Sequence, residues 1–333
     1  MSYLYLVDYS SKLGFSENCL VVKKGTEIYE RVPIETLEEV SVYGNCQITT
    51  QCIHECIKKS IPIIYYSAGG KYLGRVQPEG HIGVKRQRKQ ALFNMSSISF
   101  EIAQSIISAK IHNQIVVLRR YASSRGEDLT EICKHMKILK NKIAVTSSIE
   151  EIMGYEGNAA RSYFEGLSRL VESEFHFDGR NRRPPKDPFN AMLSFGYSML
   201  LSELYGKIIS KGLNPYFGFI HQDRENHPTL ASDLMEEWRP VIVDSAVMSM
   251  INGHEISADQ FQTGDDGGIY MSYEVRKAFV RKLEIKFNQQ VKYLKYVDYP
   301  VSFRRAIELQ INSFAHILDD EENAALYNPV LIR

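Results

Sequence analysis

The chain has 333 residues, 44% hydrophobic and 24% charged. That balance is too apolar for a disordered protein, and the length exceeds what one hydrophobic core usually organises, so a folded chain of roughly two domains is expected. Lys plus Arg and Asp plus Glu each total 40, for a formal net charge of zero, so affinity for a polyanion has to come from local patches. The five cysteines are an odd, sparse set, and no apolar run reaches the ~20 residues that span a bilayer. With no signal-peptide pattern at the start, the expectation is a reducing, cytoplasmic compartment and no membrane.

Short β runs come first, at Tyr3–Val7, Cys19–Val22, Glu27–Tyr29, Glu39–Tyr43 and Ile61–Tyr66, punctuated by glycines. One helix interrupts them from about Thr50 to Lys59, with Thr49 or Thr50 as N-cap and Ile53 and Ile57 spaced to face the sheet. On it, Cys52-Ile-His-Glu-Cys56 sets two thiols one turn apart. A zinc site needs a second ligand pair that the neighbouring sequence does not offer, so these read as buried thiols beside a surface His54. Gln77–Gly83 holds turn residues without periodicity, and beyond it the pattern changes from period 2 to helical. This places a β domain at 1–80, a linker at 81–95 and a helical domain at 96–333. The basic set Lys85, Arg86, Arg88 and Lys89 is either a solvated helix start or a group of phosphate contacts.

Helical periodicity follows at 96–122, 127–139, 149–153, 156–173, 188–211, 229–238, 240–251, 272–295 and 301–318, with prolines at starts, stops and connections. Gly154-Tyr-Glu156-Gly-Asn-Ala-Ala-Arg161 opens one of these helices. Glu156 is there either a first-turn acid that favours the helix dipole or a functional carboxylate, and Arg161 stands on the same helix to meet an anion. Between Arg180 and Ala191, prolines hold the chain extended, so Arg180, Arg182 and Arg183 are backbone-phosphate contacts or part of a plain exposed loop. Asp187 or Asn190 caps the helix that follows. Gly218-Phe-Ile-His221 ends an apolar run before a helix whose Asp233, Glu236 and Glu237 project opposite Leu230, Leu234 and Trp238. A lone histidine is commonly core or surface; acids clustered downstream give the ligand reading equal weight. The 273–295 stretch carries a strong excess of positive charge, which is a solvated face or a phosphate-binding one.

Taken together, RRPPKDPFNAMLSFGY, GFIH and LASDLMEEWRPVIVD, preceded by Gly44–Gln51, Ser67–Gly74 and Ala109-Lys-Ile-His-Asn-Gln114, resemble in order and spacing the CRISPR-associated integrase family of spacer acquisition, the proteins numbered one in the CRISPR-associated set. The resemblance covers essentially the whole chain. It implies an α+β fold, with an N-terminal β-sandwich that dimerises and a larger all-α-helical catalytic domain. It implies Glu156, His221 and Glu236 as catalytic residues and metal ligands, with Asp233 as a supporting acid and Mg²⁺ or Mn²⁺ as cofactor. Arg161, Arg180, Arg182, Arg183, Lys282 and Lys286 are the candidate DNA contacts. The implied reaction joins prespacer 3′-hydroxyl ends into the CRISPR repeat by metal-dependent transesterification on double-stranded DNA. The implied assembly is a homodimer working with a small ferredoxin-like partner, the family member numbered two, in a four-plus-two complex. Readings from other classes are a stand-alone metal-dependent nuclease or branched-DNA resolving enzyme, and a non-catalytic DNA-binding scaffold.

Overall fold

The computed structural model describes residues 2–333 except 9, 69, 71, 79–82 and 321–326. Its first part is built on two four-stranded sheets. In one, β1 (Ser2–Leu6), β5 (Leu37–Tyr43), β7 (Ile63–Tyr66) and β8 (Tyr72–Val76) lie in that order, all parallel except β8. In the other the order is β4 (Glu27–Pro33), β3 (Cys19–Lys24), β2 (Ser11–Ser16) and β6 (Gln47–Ile48), with β6 parallel to β2 and the other pairs antiparallel. Period-2 alternation drives Leu4, Leu6, Val40, Val42 and Ile63 of the first sheet into one core with Leu13, Leu20 and Val22 of the second. Helix α1 (Thr50–Lys58) joins that core, with the Thr49 side chain accepting from the Cys52 amide as N-cap. Its fully buried side chains are Cys52 and Cys56; Ile53 packs partly buried against the same core as expected, whereas Ile57 is 41% exposed. The small thiols let the helix lie close to the sheets, while His54 is exposed as anticipated.

The first sheet is covered on its other face as well. Val7, Tyr43, Ile64 and Tyr66 belong to the core of the helical part, where Tyr43 stacks on Tyr66 at 4.6 Å and on Phe195 at 5.2 Å. Gly70, at φ +82°, brings the backbone so close to Phe195 that no Cβ fits. Polar ties add to this: Arg276 donates to Ala68 O at 2.9 Å, Tyr5 donates to Glu284 at 2.5 Å, and the Arg304 guanidinium lies over the Tyr3 ring at 3.7 Å.

The helical part comprises α2 (Val84–Phe93), α3 (Ser97–Arg125), α4 (Thr130–Ile143), α5 (Ile149–Leu170), α6 (Pro188–Ser210), α7 (Thr229–Met235), α8 (Ser245–Asn252), α9 (Tyr273–Asn288) and α10 (Phe303–Asp319). Two short ribbons, β9 (Phe261–Thr263) with β10 (Ile269–Met271) and β11 (Gln290–Val291) with β12 (Val301–Ser302), flank α9. The class is α+β with the helical part the larger, as expected. Among the described residues no helix is long and apolar enough to cross a membrane.

Three departures from the sequence reading bear on the site. The stretch 81–95, expected as linker, contains α2. That helix docks through Phe93, edge-on to Phe219 and Phe314, and through Gln90, which donates to Asn214 O and Phe217 O. Of its basic set, Arg86 pairs with Asp319 at 2.5 Å and Lys89 donates to Asp319 O, while Lys85 and Arg88 are exposed. Second, α5 runs unbroken through Gly154 from its N-cap Ser148, and its first-turn acids are Glu150 and Glu151. Glu156 therefore sits two turns inside the helix, which removes the capping explanation for it. Third, α9 stops at Asn288 instead of about 295, because Gln290 and Val291 pair with β12.

Candidate active site

Four elements deliver charged side chains to one place. The 29-residue α3 buries its middle, and Lys110, only 8% exposed, lies there between buried Ala109 and Ile111. Helix α5 presents Glu156, and the Lys110 ammonium donates to its carboxylate. The C-terminal end of α7 presents Glu236, whose Oε2 lies 2.5 Å from the same ammonium. Arg239, one turn on in a π-helical segment spanning Arg239–Asp244, contacts Glu236 Oε1 at 3.0 Å. Burial disfavours charge on Lys110, but Glu156 and Glu236 outweigh it and hold its pKa raised. Burial likewise works to raise Glu236, and the opposing charges of Arg239, Lys110 and His221 overcome it and bring the carboxyl down to about 2.

The loop carrying His221 is held by Asp233. This fully buried carboxylate accepts from the backbone amides of Phe219 at 2.7 Å, Ile220 at 2.9 Å and His221 at 3.1 Å, and from His221 Nδ1–H at 2.7 Å. Gly218 makes the turn possible, since a Cβ there would lie 2.7 Å from Asp233 Oδ2. With Nδ1 engaged, Nε2 faces Glu236 Oε1 at 3.8 Å. Burial acts to lower the imidazole pKa, and the Asp233 hydrogen bond together with Glu236 reverses this and leaves it raised.

Glu156, His221, Glu236 and Asp233 are thus brought together, whereas Glu237 is not. A residue step turns a helix by about 100°, and Glu237 points to the opposite side. There it accepts from Tyr327 at 3.0 Å, Gln310 at 3.1 Å and the Val330 amide at 2.6 Å, and burial pushes it up to about 7. Asn113, one turn after Lys110, donates to Glu237 O and Val330 O and accepts from the Ile332 amide. Residues 327–333 are thereby clamped behind the turn that bears Glu236. Lys110 and Arg239 lie inside the sequence motifs without having been given a role there. The available signal was a lysine on an apolar helix, which is rarely buried unless paired.

The donor set is two carboxylates and an imidazole whose Nε2 is free to ligate, which suits Mg²⁺ or Mn²⁺. Glu236 Oε2 is buried, and among the described residues its contact is the Lys110 ammonium. Among the described residues no three His, Cys, Asp or Glu groups already close on one point, because an ammonium lies between the two glutamates. The site is built around positive charge.

The expected DNA contacts divide. Arg180 turns inward, donating to Asn190 Oδ1 at 2.7 Å and Ser194 Oγ at 3.0 Å and lying over the Tyr197 ring. Burial lowers its pKa to about 10. It braces α6, whose N-cap is Asp187, and is not a free phosphate contact. Arg161, Arg182 and Arg183 are exposed. Lys282 is paired with Glu255 at 2.6 Å, and Lys286 lies along Phe303 with its pKa lowered to about 8 by burial and the nearby Arg120 charge. Arg276 is buried, so the positive charge of α9 does not form one open face.

Beneath the site, Tyr197 and Tyr163 donate to Asp244 at 2.6 and 2.9 Å, yet burial pushes this acid up to about 6. A folded-state pKa above the unfolded 3.8 means that folding takes up a proton. The stabilisation is complete below about pH 4 and is lost as pH rises through about 6. Asp244→Asn is expected to keep the tyrosine contacts and to gain on the order of 2 kcal/mol relative to wild type between pH 4 and pH 7. Chemical denaturation at the two pH values measures this; a difference that does not change with pH refutes it.

The sequence model of the family described as CRISPR associated protein Cas1 matches residues 4–285. The chain is similar to the CRISPR-associated endonuclease Cas1 of Mycobacterium tuberculosis (strain H37Rv), 33% identical over 321 residues, 96% of this chain and 94% of the relative. It is also similar to the CRISPR-associated endonuclease Cas1 of Clostridium perfringens (strain SM101), 28% identical over 331 residues and 98% of each. Among solved structures, a casposase bound to integration product matches with TM-score 0.85 and 25% identity over 96% of this chain and 91% of that one. A Cas6-RT-Cas1–Cas2 complex matches with TM-score 0.86 and 27% identity over all of this chain, which spans 36% of that larger one. The chain belongs to the CRISPR-associated Cas1 family.

Proposed function

We propose that this chain is the DNA integrase and endonuclease of CRISPR spacer acquisition, joining prespacer 3′-hydroxyl ends into the CRISPR repeat by transesterification. The observation that carries this reading is the meeting of Glu156 and Glu236, from a helix and a helix end, on one buried ammonium, with the loop residue His221 facing Glu236 through Nε2. The relatives' name as endonucleases and the casposase bound to integration product support it. Glu156, Glu236 and His221 Nε2 would hold a Mg²⁺ or Mn²⁺ ion. When bound, such an ion supplies Lewis-acid polarisation of the phosphodiester and stabilises the charge that develops in line with the attacking hydroxyl. Asp233 keeps the His221 proton on Nδ1, so that Nε2 stays a donor of electrons. Arg239, held by Glu236, has a buried Nε without a hydrogen-bond partner among the described residues, and its guanidinium would be the group to meet non-bridging phosphate oxygens.

The same proposal covers assembly. The two sheets around one core form a sandwich, with 1–80 as the dimerising unit and 96–333 as the catalytic one. Edge strand β4 exposes Ile28 and Tyr29, 48% and 72%, which a second copy would cover. The partner numbered two is named with Cas1 in a neighbouring structure, which supports such a partner here; the proposal takes a four-plus-two complex on double-stranded DNA as the working form.

Incubation with Mn²⁺, a repeat-bearing plasmid and prespacer DNA tests the chemistry. Joined products that need a free prespacer 3′-hydroxyl and vanish with chelator are expected. Nicking that ignores prespacer favours the stand-alone nuclease, and binding without products favours the scaffold. For DNA binding, the double substitution of Arg182 and Arg183 by Ala should flatten the salt dependence of affinity by about 0.9 log unit for each phosphate no longer neutralised. Arg180→Ala should leave the slope alone and lower the melting temperature instead. An unchanged slope in the double variant puts both arginines off the DNA path.

A further inference from the structure

Glu156 and Glu236 come from separate elements into a space where their side chains are 14% and 3% exposed. Two carboxylates so placed repel each other and are poorly hydrated, so the pair needs a cation to stay together. Lys110, with its side chain 11% exposed, supplies one and touches both. Its ammonium lies where the two acids converge, and a divalent ion held by the same two acids would meet it as a like charge at close range. We propose that Lys110 is a built-in counter-cation, which pre-assembles the acidic pair before metal arrives and is displaced from it when a divalent ion binds. Metal affinity is then the outcome of a competition between the ion and an internal ammonium. The inference rests on the reading of Glu156, His221 and Glu236 as a metal centre.

Manganese titration of the full chain by calorimetry, with melts in chelator and in Mn²⁺, separates the two ideas. Glu156→Gln is expected to lose Mn²⁺ binding, which establishes the centre. Lys110→Met keeps the length of the side chain and removes its charge, and should bind Mn²⁺ at least about tenfold more tightly. It should also melt below wild type in chelator, with the gap closing in Mn²⁺. Lys110→Arg, which keeps the charge, should bind no more tightly than wild type. Equal or weaker Mn²⁺ binding by Lys110→Met, with Glu156→Gln still inactive in binding, overturns the role of Lys110 and leaves the metal centre standing. Wild-type Mn²⁺ binding by Glu156→Gln removes both. Should Lys110→Met not fold, amine-reactive labelling of the wild-type protein decides: Lys110 should react severalfold faster in Mn²⁺ than in chelator, and an unchanged rate overturns the proposal.

Discussion

His221→Ala is expected to reduce Mn²⁺-dependent strand transfer by about a thousandfold or more, with the fold retained. The ring is one of three donors at the proposed centre, and Nε2 is its working atom because Asp233 holds Nδ1. The loop does not depend on the ring for its shape, since the amides of residues 219, 220 and 221 still donate to Asp233 after the ring is gone. Loss of the one ring hydrogen bond costs about 1 kcal/mol, which a chain of this size tolerates. Circular dichroism and gel filtration check the fold, and a strand-transfer assay checks the chemistry. Strand transfer at the wild-type rate would take His221 out of the centre.

Much of this site is legible in the sequence because its parts lie in short motifs. GFIH and SDLMEE together carry one local device: a glycine that permits a close turn, a histidine at its end, and an acid twelve residues on that catches it. What periodicity does not supply is partnership across the chain. Lys110 lies in α3 and meets Glu156 of α5, and nothing local in Ala109-Lys-Ile-His tells a buried lysine from a solvated one. The helix break expected at Gly154 is absent because a helix-interior glycine costs only about 1 kcal/mol, and Ile152, Ala159, Tyr163 and Leu167 on one buried face outweigh it. Grouping the three acids of the 229–238 stretch is too broad, because the turn from Glu236 to Glu237 carries the second to the far side. Helix α2 leaves little apolar pattern to read, since Phe93 is its one buried apolar side chain and the rest of its docking is by polar contacts from Arg86 and Gln90.

The clean cut near residue 80 is a further case. Turn residues mark it in the sequence, but Tyr43, Ile64 and Tyr66 lie in the core of the helical part. A fragment ending there would bare that face, so the dimer role proposed for the sheets has to be tested in the full chain.

Asp233→Ala is expected to cost on the order of 4 kcal/mol, or a fall of roughly 6 °C in melting temperature, whether or not Mn²⁺ is present. The carboxylate takes three backbone donors and one ring donor in a site with no solvent exposure. Its removal strands buried amides at Phe219 and Ile220 and frees the His221 loop. Asp233→Asn should be nearly as damaging, because an amide group turns one of the two accepting oxygens into a donor facing donors. Glu236→Gln differs in kind: the loop stays in place, and what is lost is the Mn²⁺-induced rise in melting temperature. The pair of variants therefore assigns the two acids of α7 to separate tasks, one holding the ligand loop and the other facing the cation. Asp233→Ala that loses Mn²⁺ binding while melting with wild type would reverse that assignment and make Asp233 the direct ligand.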